Sequence, residues 1–340
     1  MDQTKRVVFL DGLRGAAILL VVLFHAYARW PEVVRYGDKF AEFPIFRFGF
    51  LGVQLFFMIS GFVILMTLER CSGFAQFLYR RWLRLFPAMM IVSPIILSTA
   101  LFLPERPLGI PALRDMIPGL TFIQPDWWEV ILGSPQGYLE GSFWTLYIEV
   151  KFYVVFGLLF FLAGENVSIL GLLILFMLSL VWSGSTFSKL LDANYMGWFA
   201  AGALFCKYHR TANKRWMVMG VISALASALS IRADGREGAV EAGIVLVSFF
   251  AAALASKSIQ SILSTRILCL LGFMSYPLYL LHENLMVGLI VKLGNSAAWM
   301  PDVLLPVLPI LLCVAVSWIL AAYGEPFLRA RLEAALAGRR

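Results

Sequence analysis

Charge is what this sequence has least of. Only 14% of its 340 residues are Asp, Glu, Lys or Arg, while 60% are hydrophobic and the mean hydropathy reaches +0.81. A soluble core of this length has no use for so much apolar surface, so most of the chain must face lipid. Apolar–polar alternation is missing too. The apolar runs are continuous, which argues against a transmembrane β-barrel and favours helices that satisfy their own backbone. There are four cysteines, none in a stretch expected on the outer side and none in a Cys-x-x-Cys pair, so neither a disulfide framework nor a metal site is expected. The net charge of +7 does not point to nucleic acid, because the basic residues sit in short stretches between apolar runs. Internal repeats, low-complexity tracts and an appended soluble domain are also lacking, so residues 1–340 are expected to form a single membrane domain. Lys5, Arg6, an apolar run and Ala26–Ala28 outline a signal peptide, but Asp11 and Arg14 intrude on the hydrophobic stretch and argue for a retained span.

What is there is a series of runs near the ~20 residues a spanning helix needs. They fall at about 9–30, 50–68, 86–103, 142–163, 167–184, 194–207, 216–231, 239–256, 267–290 and 303–323. If both termini are cytoplasmic, the inner stretches hold Lys5 and Arg6; Arg70, Arg80, Arg81 and Arg84; Lys207, Arg210, Lys214 and Arg215; Lys257 and Arg266; and Arg329, Arg331, Arg339 and Arg340. The outer stretches are comparatively acidic, from Glu32 and Asp38 through Glu105, Asp115, Glu129, Glu140, Asp192 and Asp234 to Asp302. This is the positive-inside pattern, and an even number of crossings closes it. The expected class is an all-α polytopic membrane protein with about ten transmembrane helices. The longest outer segment, Pro104 to Gly141, carries Pro, Gly and Trp residues that suit an interfacial or re-entrant piece, or a plain connector.

Asp11, Arg14 and His25 interrupt the opening run "LDGLRGAAILLVVLFHAYARW". Arg14 and His25 are eleven residues apart, close to three helical turns, so they project from nearly one face, ~16 Å apart along the axis. Asp11 shares that face, three residues before Arg14. Alone, Arg14 reads as an anchor and His25 as a packed ring; together, inside a span, they point toward a wet interior with a purpose. The fourth run, "SFWTLYIEVKFYVVF", adds Glu149 and Lys151 at a depth similar to that of His25. A carboxylate there can orient an imidazole and stabilise its protonated form, or it can pair with Lys151 or a tyrosine. In the ninth run Gly272, Ser275, Tyr276, Tyr279 and His282 share a helical face, as packing or as a polar lining shared with Glu283. Arg80, Arg81 and Arg84 in "RRWLRLFPA" suit lipid headgroups or a phosphate-rich cytoplasmic ligand.

Taken in order, "FLDGLRGAAILLVVLFHA", "GVQLFFMISGFVI", "YRRWLRLFPA", "SFWTLYIEVKFYVVF", "SYPLYLLHENL" and "YGEPFL" resemble the membrane acyltransferase-3 family across almost the whole chain. Its members O-acylate bacterial polysaccharides, lipopolysaccharides and related glycans. The resemblance implies a ten-helix core in the bacterial cytoplasmic (inner) membrane. Acyl-CoA, usually acetyl-CoA, is the expected donor substrate, with no permanently bound cofactor, and the acceptor is a hydroxyl of an outer or lipid-linked glycan. It implies His25 as the catalytic histidine, Arg14 as the essential arginine of the first helix, and Arg81 and Arg84 as the basic motif that meets the donor. Glu149 matches the Trp-Ser-Leu-x-x-Glu segment, here "WTLYIE" with Thr145 in place of serine, and Lys151 stands where glutamine is common. Ser60, in Phe-Phe-x-x-Ser-Gly-Phe, joins Tyr276, Tyr279 and His282 as the expected acceptor lining. Glu325 matches a late Glu-x-Pro-like signature loosely. Two routes are open, direct attack with His25 as general base or a transient acyl-histidine. Two rival classes remain: a transporter or flippase for a sugar or lipid-linked glycan, and a scaffold whose polar groups glue helices together.

Overall fold

A helix must form wherever a long apolar run meets lipid, because nothing else there satisfies the backbone. The computed structural model, which describes residues 7–182, 184, 186–231 and 236–337, is all-helical, with no strand among the described residues. Five helical stretches are long and apolar enough to cross a membrane: Val8–Tyr27, Gly49–Leu68, Phe74–Ala100, Gly141–Ala163 and Asp302–Leu336. A sixth counts if Ala239–Ala255 and Lys257–Leu263, bent by 105° at their junction, form one span. Helices also occupy the other expected runs, as Glu165–Val181, Met196–Thr211 and Lys214–Ser230. Of the charges expected to set the topology, Lys5, Arg6, Asp234, Arg339 and Arg340 lie outside the described residues.

Two expectations need correcting. The ninth run is not one helix but three, Arg266–Phe273, Ser275–Leu281 and Asn284–Ser296. Pro277 explains the first break: its ring would clash with the carbonyl four residues back, so the helix restarts at Ser275, where Pro falls harmlessly in the first turn. Glu283, with ψ −82°, makes the second break. Nor do Arg80, Arg81 and Arg84 precede their helix. They ride on it, in the first turns of Phe74–Ala100, which also accommodates Pro87 and Pro94. The long segment 104–141 holds two short helices, Met116–Thr121 and Pro125–Leu132, and the Asp115 carboxylate accepts from the Ala112 and Gly137 amides at 2.7 and 2.8 Å on either side of them.

The chain divides into two compact units interleaved in sequence: Met1–Ala17, Leu51–Arg80 and Ile148–Cys269 form the first, and Ile18–Phe50, Arg81–Tyr147 and Leu270–Arg340 the second. In the first unit the core is the crossing of Gly52–Leu68 with Met196–Thr211. A Cβ at Gly61 would run into the Phe199 carbonyl, and one at Gly202 into the Met58 carbonyl. Small residues are what let two helix backbones approach this closely where lipid gives no hydrophobic drive. Phe152 stacks on Phe199 at 4.0 Å beside the crossing. Gly202→Val should therefore destabilise the protein by about 3 kcal/mol, since the obstruction is backbone and cannot rotate away. An unchanged thermal midpoint in detergent would count against this crossing. In the second unit, Tyr27 stacks on Phe46 at 4.4 Å. Arg35 there gathers the carbonyls of Gly294, Ala297 and Met300 and the carboxylate of Asp302.

Candidate active site

In the second unit the helix break at His282–Asn284 creates a problem of hydrogen bonding that buried side chains solve. The Asn284 backbone N–H, left without a helical partner, donates to Glu140 Oε2 at 3.1 Å, and the Asn284 side-chain amide donates to the same oxygen. Arg106 donates to Glu140 Oε1 at 3.1 Å and to the Ile96 carbonyl, so the carboxylate that caps Asn284–Ser296 is itself neutralised. Both charged side chains are essentially inaccessible, at 1% and 0% exposure. Burial raises the Glu140 carboxyl to about 8, against the pull of Arg106 and Asn284 in the other direction. Irregular backbone at such a break is tolerated only where protein groups complete its hydrogen bonds, as here.

His282 and Glu283 are held at this break, and they meet His25 from Val8–Tyr27. His282 Nδ1 lies 2.9 Å from the Tyr279 carbonyl, and its Nε2 lies 3.2 Å from His25 Nδ1. His25 Nδ1 is also 2.8 Å from the Val21 carbonyl. The two rings meet edge to face, with centroids 4.6 Å apart. On the other side of the ring, His25 Nε2 is 3.6 Å from Glu283 Oε1. Glu283 Oε2 is buried with no hydrogen-bond partner among the described residues, and a side chain at position 141 would collide with this carboxylate, which leaves glycine there. His282 is fully buried, whereas the His25 side chain keeps 12% of its surface exposed.

The tyrosines expected in a pocket lining act as ties. Tyr279 donates to the Ser142 carbonyl at 3.1 Å and accepts from Thr145 at 2.8 Å, and Tyr276 donates to the Leu85 carbonyl at 3.0 Å. Arg84 lies over the Tyr276 ring at 5.4 Å and 3.6 Å from Glu325; Arg81, three residues earlier on the same helix, is half-buried. In the first unit Glu149 Oε1 accepts from both Ser60 and Tyr153 at 2.6 Å, while Lys151 pairs with Asp192 at 2.6 Å. Arg14 sits 3.6 Å from Asp11, one turn away as the spacing requires. The structure thus brings His25 and His282 together and gives Glu149 partners of its own. Arg106 and Glu140 escaped the sequence reading. The available signal was Arg106 itself, one of only two cations, with Arg114, in a 104–141 segment whose other charges are acidic.

These observations fit the comparisons with known proteins. The family model described as "Acyltransferase domain" matches residues 7–322, so the chain belongs to this acyltransferase family, the one its motifs resemble. Among curated proteins it is similar to the O-acetyltransferase OatA of Staphylococcus aureus, 31% identical over 161 residues that cover 44% of this chain and 24% of that protein. It is also similar to the putative peptidoglycan O-acetyltransferase YrhL of Bacillus subtilis, 32% identical over 162 residues, covering 43% of this chain and 22% of the relative. The matched stretch is therefore less than a quarter of either relative's length. No solved structure matches this chain.

Proposed function

We propose that this chain is an integral membrane O-acyltransferase that moves an acyl group, with acetyl as the leading candidate, from cytoplasmic acyl-CoA to a hydroxyl of an extracytoplasmic or lipid-linked glycan. The observation that carries the reading is a partly accessible imidazole, His25, buried in an apolar helix with its Nδ1 committed to acceptors and its Nε2 left free for chemistry. Family membership and the printed names of the relatives support the reaction class. In the reaction, Nε2 takes the proton of the acceptor hydroxyl as its oxygen bonds to the thioester carbonyl carbon. The tetrahedral intermediate then collapses, the C–S bond breaks, and the leaving thiolate recovers the proton from Nε2 to depart as free CoA thiol. Arg14, Arg81 and Arg84 are assigned to the donor's phosphates, which guanidinium groups grip in a bidentate fashion.

For the topology we read ten crossings with both termini cytoplasmic, in a bacterial inner membrane, from the distribution of basic residues. Tags inserted at Gly109 and Ala212 should report outside and inside respectively; the reverse, or the same side for both, would overturn that reading. The activity itself is tested with purified protein in lipid, acetyl-CoA labelled in the acetyl group, and a chito-oligosaccharide acceptor. Free CoA should appear together with labelled ester on the glycan. A transporter would release no CoA above a lipid-only blank.

A further inference from the structure

We infer that His25 does not work alone but as the middle member of a relay, His282–His25–Glu283, in which His282 is a positioning residue that fixes the His25 tautomer and Glu283 is the counter-charge for the imidazolium that forms. The inference rests on the acyltransferase reading above and assigns two further residues to that site.

The direction of the relay follows from which atoms can only accept. A backbone carbonyl has no hydrogen, so the nitrogen that faces it must carry one. His282 Nδ1 faces the Tyr279 carbonyl and is therefore N–H, which leaves the neutral ring with a lone pair on Nε2. His25 Nδ1 faces the Val21 carbonyl and is likewise N–H, and it points that hydrogen at the His282 lone pair as well. Two acceptors on one nitrogen hold the His25 proton on Nδ1, so Nε2 is the basic atom. An imidazole here occupies the place that a carboxylate takes in better-known triads, behind the ring that does the chemistry. A histidine present only to fill the core needs a partner for one nitrogen and apolar neighbours for the rest; His282 is fully buried, and its second nitrogen is spent on another imidazole.

The far end of the relay is open. His25 Nε2 and Glu283 Oε1 face each other at 3.6 Å, beyond hydrogen-bond length, with no hydrogen between them once Nδ1 holds the proton. Glu283 Oε2 is buried with no hydrogen-bond partner among the described residues. The Ser142 backbone and the charges of Arg29 and Arg106 favour a negative charge on this carboxylate. A buried carboxylate oxygen without a donor is costly to leave so, and the missing hydrogen is what an acceptor hydroxyl brings. When that proton passes to Nε2, the new imidazolium has Glu283 on one side and the His282 lone pair on the other. When it passes on to the thiolate, both groups return to their starting state, so the relay is unchanged after each turnover.

The test uses the full chain in lipid, acetyl-CoA and the chito-oligosaccharide, with His25→Ala as reference. His282→Phe keeps the ring volume and removes the acceptor. Its kcat should fall by about tenfold or more while KM for acetyl-CoA stays within about twofold, because the loss is in general-base efficiency rather than donor binding. His282→Gln, whose amide oxygen reaches the place of Nε2, should recover most of that kcat. His282→Asn, whose amide reaches only the place of Nδ1, should not. If His282→Phe fails to fold, the Gln–Asn pair decides: a severalfold advantage for Gln supports the relay, and equal rates overturn it. Wild-type kcat in His282→Phe overturns it while leaving the acyltransferase reading intact, provided His25→Ala is inactive. Full turnover in His25→Ala overturns the relay and leaves the reaction class standing; no CoA release by the wild-type protein overturns the acyltransferase reading itself.

Discussion

His25→Ala should abolish acyl transfer, with kcat lowered by about 10²–10⁴, the range a positioned general base contributes. Several features make the expected loss large. The side chain that remains cannot take a proton, and the neighbouring His282 cannot substitute. Its Nδ1 is tied to the Tyr279 carbonyl, its Nε2 points at position 25, and it is fully buried. Glu283 stands near the reacting position, but its orientation toward the hydroxyl depends on the ring being there. Stability should change little by comparison, because alanine is the best helix former and position 25 lies near the end of Val8–Tyr27. The pair of measurements is therefore diagnostic: CoA release lost, thermal midpoint nearly kept. Turnover within a factor of about two of wild type would remove the imidazole from the mechanism, whatever the family.

Arg106→Met should be the most damaging substitution for stability, at about 3–5 kcal/mol, the cost of breaking a buried ion pair by removing one partner. The Glu140 carboxylate would then remain in a site with no solvent exposure, with only the Asn284 donors to hold it. Because Glu140 caps the helix that follows the break, the damage should spread to Asn284–Ser296 and so to His282 and Glu283. The sign with pH is fixed. Burial already raises the Glu140 carboxyl to about 8 with Arg106 present, and without it the folded-state value rises further. A group that binds its proton more tightly when folded loses stability as pH climbs from its unfolded value toward its folded one. Up to about pH 8 both proteins lose this stability in parallel, so the deficit of Arg106→Met should be flat there and grow as pH rises above 8, where only the variant still holds the proton. Adding Glu140→Gln removes the stranded charge while keeping an acceptor for Asn284, so the double variant should be more stable at pH 8 than Arg106→Met alone. Additive losses, or a deficit that shrinks with rising pH, would count against a capping ion pair.

How much of this was readable beforehand depends on whether the cause is local. Helices at the expected runs follow from continuous apolar composition, and the Asp11–Arg14 contact from a three-residue spacing; both are local and both are found. The broken ninth run was half legible, since Pro277 is a signal in itself, but the second break at Glu283 has no residue that forbids a helix. It exists because Glu140, 143 residues earlier in the chain, supplies the cap. Glu149 shows the same limit from the other side. An apolar run fixes its depth but not its partners, and its carboxylate accepts from Ser60 and Tyr153.

By itself the sequence determined that this protein is helical and lipid-embedded, that its polar groups are few and costly, and that His25 and Arg14 share a face, because those properties follow from composition and a 3.6-residue period. Only the tertiary structure decided that His25 meets His282 and Glu283, and that Arg106 and Glu140 hold the break where they sit. Hydrogen bonds between residues far apart in the chain are directional and short-ranged, and no local pattern encodes which distant acceptor a given proton will find.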